Sequence, residues 1–181
     1  MKFLLSIILL SGLLYQAAYA SENGMIYIST AVNSSVADVK KRLEELMPEN
    51  ANIIYTFVPR GLIISVDESE LFPQNSIYIK CSGANILNGI AQILNEIDNN
   101  CTIESHTDSS FNTGYHSNWE VSMARANSIA DYLIYCRKIP TERVFPLGFG
   151  ELMPFKDNVS KTTIGFDKRI DFVIFDYEYE R

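Results

Sequence analysis

The chain has 181 residues, with 15 Lys plus Arg against 22 Asp plus Glu and a formal charge of −7. A nucleic-acid partner calls for a basic stripe. None is present, so that class is set aside. The length and a hydrophobic fraction of 47% suit one domain with a sizeable core and a short extension. Cys81, Cys101 and Cys136 are too widely spaced for a close-pair zinc motif. Their odd count leaves at least one thiol unpaired or intermolecular. No metal or cofactor is expected.

Residues 1–20 have the layout of a secretory signal peptide. Lys2 gives a positive start, Phe3 to Leu14 an apolar core, and Ala18-Tyr19-Ala20 a small-x-small cleavage pattern before polar Ser21-Glu22-Asn23. The apolar run is short for a membrane span of about 20 residues, so cleavage after Ala20 is expected. No cysteine closes that run, which argues against a lipid anchor, and no later stretch is long and apolar enough to span a bilayer.

Residues 21–52 read as an N-terminal extension with one amphipathic helix. Val36, Val39, Leu43, Leu46 and Met47 recur at three- and four-residue intervals, with charged residues between them and Pro48 as a stop. The spacing predicts a helix packed on the main domain. Strand signals follow at 53–58 and 62–66, joined tightly through Pro59-Arg60-Gly61. Ile86, Leu87, Ile90, Ile93, Leu94 and Ile97 predict a helix over 84–97, and 101–106 reads as a strand. Ser117-Asn118-Trp119-Glu120 fits a capping box, opening a helix to about Cys136 with Ile129, Tyr132, Leu133 and Cys136 on its inner face. Two strands, 143–148 and 169–175, finish the chain. This alternation points to an α+β fold with helices covering one face of a sheet.

Several ordered motifs are similar to the signature of the OmpA/MotB C-terminal family. They are His106-Thr107-Asp108, then Asn118 through Ser122 to Arg125-Ala126, then Gly148-Phe149-Gly150-Glu151 with Pro154 and Asn158, and Asp167-Lys168-Arg169-Ile170-Asp171. The resemblance spans roughly 53–176 and implies a two-layer sandwich, a mixed sheet with helices packed on one face, over 53–181. It also implies a non-catalytic protein, free in the periplasm or associated with the outer membrane, that grips a peptidoglycan stem peptide. Ser105 stands where the family usually has glycine, and Asp167 where it usually has asparagine.

The residues agree with that chemistry. Asp108 falls at the C-terminal end of a strand. Arg125 lies almost two helical turns beyond Asn118 on the same helix face, with Ser122 between them. A carboxylate and a guanidinium suit a ligand bearing both an ammonium and a carboxylate, as does the diaminopimelate end that the resemblance implies. The plainer alternative is that Asp108 and Arg125 pair with each other. Asn118 either contacts ligand or ties the loop to the helix start. Arg169 is either a late ligand contact or a solvated strand-edge gatekeeper, and Thr107 belongs to the same expected set. His106 is expected to pack at the strand end. In the element order of the resembling fold, Cys101 and Cys136 lie at the end opposite the ligand, so a disulfide would join those two.

Three function classes follow. The first is a binding module that fastens an envelope component to peptidoglycan. The second is a subunit of a larger secretion or motility assembly that uses the fold for contacts with envelope or outer-membrane proteins. The third, a peptidoglycan hydrolase, lacks an ordered nucleophile, metal set or carboxylate pair.

Overall fold

The computed structural model describes residues 36–108, 114–154 and 167–176. The predicted signal peptide and residues 21–35 lie outside the described residues. No helix among those described is long and apolar enough to cross a membrane.

The elements are α1 (Val36–Leu46), β1 (Ile53–Val58), β2 (Gly61–Asp67), the one-turn α2 (Glu68–Leu71), α3 (Cys81–Glu96), β3 (Cys101–His106), α4 (Asn118–Asp131), β4 (Val144–Gly150) and β5 (Arg169–Phe175). The strands form one mixed sheet in the order β1-β2-β5-β3-β4. Neighbours run antiparallel except β3 and β4, which are parallel. The α+β fold expected from the alternation of elements is the one observed.

Period-two alternation assigns each face of the sheet. Leu62, Ile64 and Val66 of β2, Cys101 and Ile103 of β3, and Ile170, Phe172 and Ile174 of β5 share a core with Ile86, Ile90 and Leu94 of α3 and Ile129 of α4. The helix α1 joins the same core through Val39 and Leu43. The end of α1 lies on Gly89 of α3, where an added Cβ would meet Met47 Cε at 2.9 Å. The predicted packing helix is therefore built into the sandwich.

On the other face the central strands carry polar side chains that are nonetheless buried, among them Thr102, Glu104 and His106 of β3 and Arg169 and Asp171 of β5. Glu104 lies directly opposite Asp171 across β3 and β5, an arrangement of like charges that is unfavourable alone. Arg60, in the turn between β1 and β2, forks onto both Glu104 oxygens at 3.0 and 3.1 Å. Arg169 Nε donates to Asp171 at 2.9 and 3.1 Å, and His106 Nε2 lies 3.3 Å from the same carboxylate. Each acid thus faces its own cation.

Three details differ from the sequence expectations. Ser117 Oγ accepts from Glu120 N–H at 3.1 Å, but the Glu120 carboxylate bonds His116 N–H at 2.8 Å rather than the cap residue. Only half of the capping box forms, because the incoming chain offers an earlier amide. The helix is α-helical only to Asp131 and continues as a π turn through Tyr132–Cys136. That wider turn keeps Leu133 inside but carries Cys136 from the predicted inner face out to solvent. As a consequence the predicted Cys101–Cys136 disulfide is absent: Cys101 is sealed in the core, Cys136 faces outward, and both are free thiols.

Candidate functional site

The site begins where β3 leaves the sheet. Thr107 N–H donates to Gly150 O at 2.9 Å, extending the β3–β4 pairing by one bond and delivering Asp108 to the rim. Helix α4 starts against the same rim because β4 offers glycines there. A Cβ at Gly148 would lie 2.6 Å from Met123 N, and Gly150 has φ +57 with Trp119 N 3.1 Å from its would-be Cβ. Only glycine permits this approach without strain. The close contact lets Ser122 Oγ accept from Gly150 N–H at 2.9 Å while donating to Trp119 O at 2.8 Å. Ser122 and the two glycines therefore act as one structural joint that sets α4 against β4.

At this rim lies a cavity of about 380 Å³, lined by Thr107, Asp108, Glu151, Pro154 and Asp167. Three of the five lining side chains are carboxylates, and Lys168 Nζ sits 3.1 Å from Asp108 Oδ2. The cavity suits a positively charged group such as an ammonium.

Arg125 lies elsewhere. Its side chain is 0% exposed, Nη1 lies 2.5 Å from Glu68 Oε2, and Nε donates to Ser76 O at 2.9 Å. The guanidinium carbon lies 5.1 Å from the Phe72 ring centre. The residue thus makes a buried ion pair with the first residue of α2, and it does not line the cavity beside Asp108. Glu68 carries no motif signal of its own. Its only hint in the sequence is its position immediately after the β2 strand.

The remaining residues divide clearly. Asn118 Nδ2 donates to Glu151 Oε2 at 3.2 Å and its backbone O faces Thr107 Oγ1 at 3.5 Å, which ties the helix start to the cavity wall. Arg169 is buried, holding Asp171 and donating from Nη1 to Met153 O at 3.3 Å, so it is not a solvated gatekeeper. His106 is buried, stacked on Phe149 with ring centres 5.1 Å apart. It packs at the strand end as expected.

Burial alone would raise the Asp171 carboxyl, but the His106 hydrogen bond, the Arg169 charge and the Ser65 hydroxyl outweigh it and hold it below its ordinary value. Glu104, His106 and Asp171 bring three donor atoms within 4.8 Å of one another. Both carboxylates are already engaged by guanidinium groups, which fits a charge network better than a cation site.

A family model described as the OmpA family matches residues 71–165, just over half of the chain. The chain belongs to the OmpA family. This OmpA-family chain is 32% identical over 117 residues to the uncharacterized protein YtxE of Bacillus subtilis (strain 168), covering 64% of this chain and 48% of that protein. It spans about half the length of the curated relatives it matches. Among solved structures it is similar to a putative MotB-like protein from Desulfovibrio vulgaris, with TM-score 0.67, 22% identity, and 77% of this chain and 90% of the other covered. It is also similar to the cell wall anchor of the T6SS from Pseudomonas aeruginosa, with TM-score 0.57, 22% identity, and coverages of 68% and 87%. At these identities the two structures establish the shared OmpA-like fold.

Proposed function

We propose that this OmpA-family chain is a non-catalytic envelope protein that binds peptidoglycan in the periplasm after export by a cleaved signal peptide. The observation that carries the reading is the acidic cavity at the end of β3, whose wall includes Asp108 of the family motif. Asp108 accepts from the ammonium of a diaminopimelate stem end, with Glu151 and Asp167 adding negative potential. Arg125, two turns along α4 and outside the cavity wall, supplies the guanidinium for the carboxylate of the same group once Glu68 has left it. Thr107 shapes the wall, and Asn118 holds the helix start that both halves depend on. Support comes from the family membership and from a similar fold serving as a cell wall anchor in Pseudomonas aeruginosa.

Sedimentation with purified sacculi tests this reading. The mature chain is expected to co-sediment and the Asp108→Ala variant to remain in solution. Undiminished binding by folded Asp108→Ala would remove the cavity from the account. Release of muropeptides by the pure protein would overturn the non-catalytic assignment.

A second reading rests on the exposed apolar side chains of β4. Phe145 is 42% exposed and Leu147 38%, both on an edge strand, with exposed Leu152 and Met153 just beyond. An edge strand with this surface suits protein contacts within an envelope assembly. Retention in an envelope complex by a variant that no longer binds sacculi, lost on Phe145→Ser with Leu147→Ser, supports it. Its release together with sacculus binding overturns it.

A further inference from the structure

We infer that Glu68 and Lys168 are internal stand-ins for the two charged ends of the ligand, so that binding proceeds by exchange rather than by entry into an open clamp. The inference rests on the peptidoglycan-binding reading of Asp108 and Arg125. Asp108 has the Lys168 ammonium 3.1 Å away, and Arg125 has the Glu68 carboxylate 2.5 Å away. The chain thus presents to its own site one ammonium and one carboxylate, the same pair of groups that a zwitterionic stem end carries.

The two stand-ins are coupled. Glu68 N–H donates to Lys168 O at 3.0 Å, so the start of α2 is fastened to the residue whose side chain covers Asp108. The halves differ in depth. Lys168 and Asp108 side chains are 37% and 36% exposed, whereas Arg125 is 0% exposed and Glu68 10%. A ligand ammonium can displace Lys168 from the surface. A ligand carboxylate reaches Arg125 only when Glu68 swings away from it. Exchange of one carboxylate for another leaves no charge buried alone, which is the costly outcome for a buried pair. Asp108 is therefore the docking half of the site and Glu68 the gate of the other half.

The gate lowers apparent affinity by the fraction of molecules that are closed. A closed state holding roughly nine-tenths of the population weakens binding about tenfold. Lys168, about a third exposed and screened, accounts for at most about fivefold.

Calorimetric titration with a soluble stem tripeptide ending in diaminopimelate separates the possibilities, using the mature chain and its Glu68→Gln, Lys168→Ala and Asp108→Asn variants. The expected result is tighter binding by Glu68→Gln, about tenfold, a smaller gain for Lys168→Ala, and loss for Asp108→Asn. If Asp108→Asn loses binding while Glu68→Gln and Lys168→Ala bind no tighter than the wild type, the site stands and the stand-ins fall. Failure of the wild type and every variant to bind removes the parent reading and the stand-ins with it. Should Glu68→Gln not fold, the wild type decides alone. On saturation with the tripeptide the Glu68 carboxyl carbon, followed by NMR, is expected to move to its solvent-exposed shift together with the Arg125 Nε–H signal. A Glu68 carboxyl that stays unmoved at saturation overturns the exchange.

Discussion

Gly148→Ala is the sharpest test of how the site is assembled. The new Cβ would lie 2.6 Å from Met123 N, 2.8 Å from Met123 Cα and 2.8 Å from Ser122 Oγ. Two of these atoms are helix backbone and cannot rotate aside, so α4 must move off β4. Overpacking of this kind costs about 1–3 kcal/mol. The same movement stretches the 2.9 Å bond between Ser122 Oγ and Gly150 N–H, adding about 1 kcal/mol. Replacing a strand glycine with alanine returns roughly 0.5–1 kcal/mol of chain entropy. The net expectation is a destabilisation of about 1–3.5 kcal/mol, or roughly 2–14 °C in Tm for a domain of this size. Urea unfolding followed by circular dichroism measures it, provided the m-value is unchanged. Loss of sacculus binding should accompany the destabilisation even where the protein stays folded, because the shift moves the start of α4 relative to Asp108. A Gly148→Ala midpoint within error of the wild type would mean that the helix does not rest on this glycine, and the account of the Ser122 joint would fail with it.

Other expectations concern the rest of the molecule. Asp171 has a folded value below its ordinary one, so its contribution is complete above the usual carboxylate range near pH ~4. That contribution is lost as pH falls through the lower folded value. Asp171→Asn should therefore flatten the acid limb of the stability–pH curve while lowering stability at pH 7. An acid limb parallel to the wild type would rule out this source. With Ellman's reagent, native protein should show two fast thiols, Cys81 and Cys136, while Cys101 reacts only on unfolding. Burial pushes the Cys101 thiol up to about 12, with Glu104 adding to the rise and Arg143 opposing it. Fast labelling of Cys101 in the native state would contradict its place in the core. Leu43→Ala removes a fully buried α1 side chain and should cost about 2–5 kcal/mol. A cost under about 1 kcal/mol would show that α1 is not part of the cooperative core.

Much of this protein was legible from local pattern. The β1–β2 hairpin across Pro59-Arg60, the helical period of α3, the strand β3 and the Ser117 cap are each set by contacts between residues a few positions apart. The spacing of apolar side chains and one hydroxyl is enough to specify them. The strand-end position of Asp108 follows from the same reasoning, and the structure puts it on the wall of an acidic cavity. Arg125 could not be read this way. Its place on the Asn118 face of α4 is local, but its burial against Glu68, Phe72 and Ser76 arises from α2 and the segment after it being folded across that face. Arg169 likewise turned inward to Asp171 because β5 ended up in the centre of the sheet rather than at an edge. The unformed disulfide has a local origin instead, a π turn over Tyr132–Cys136 that leaves Cys136 facing outward. Backbone hydrogen bonding and hydrophobic period act over one or two turns, so local pattern was enough for the elements and for the strand-end place of Asp108. Which charge meets which depends on strand order and helix packing between distant segments, and it took the assembled fold to set Asp108 against Lys168 and Arg125 against Glu68.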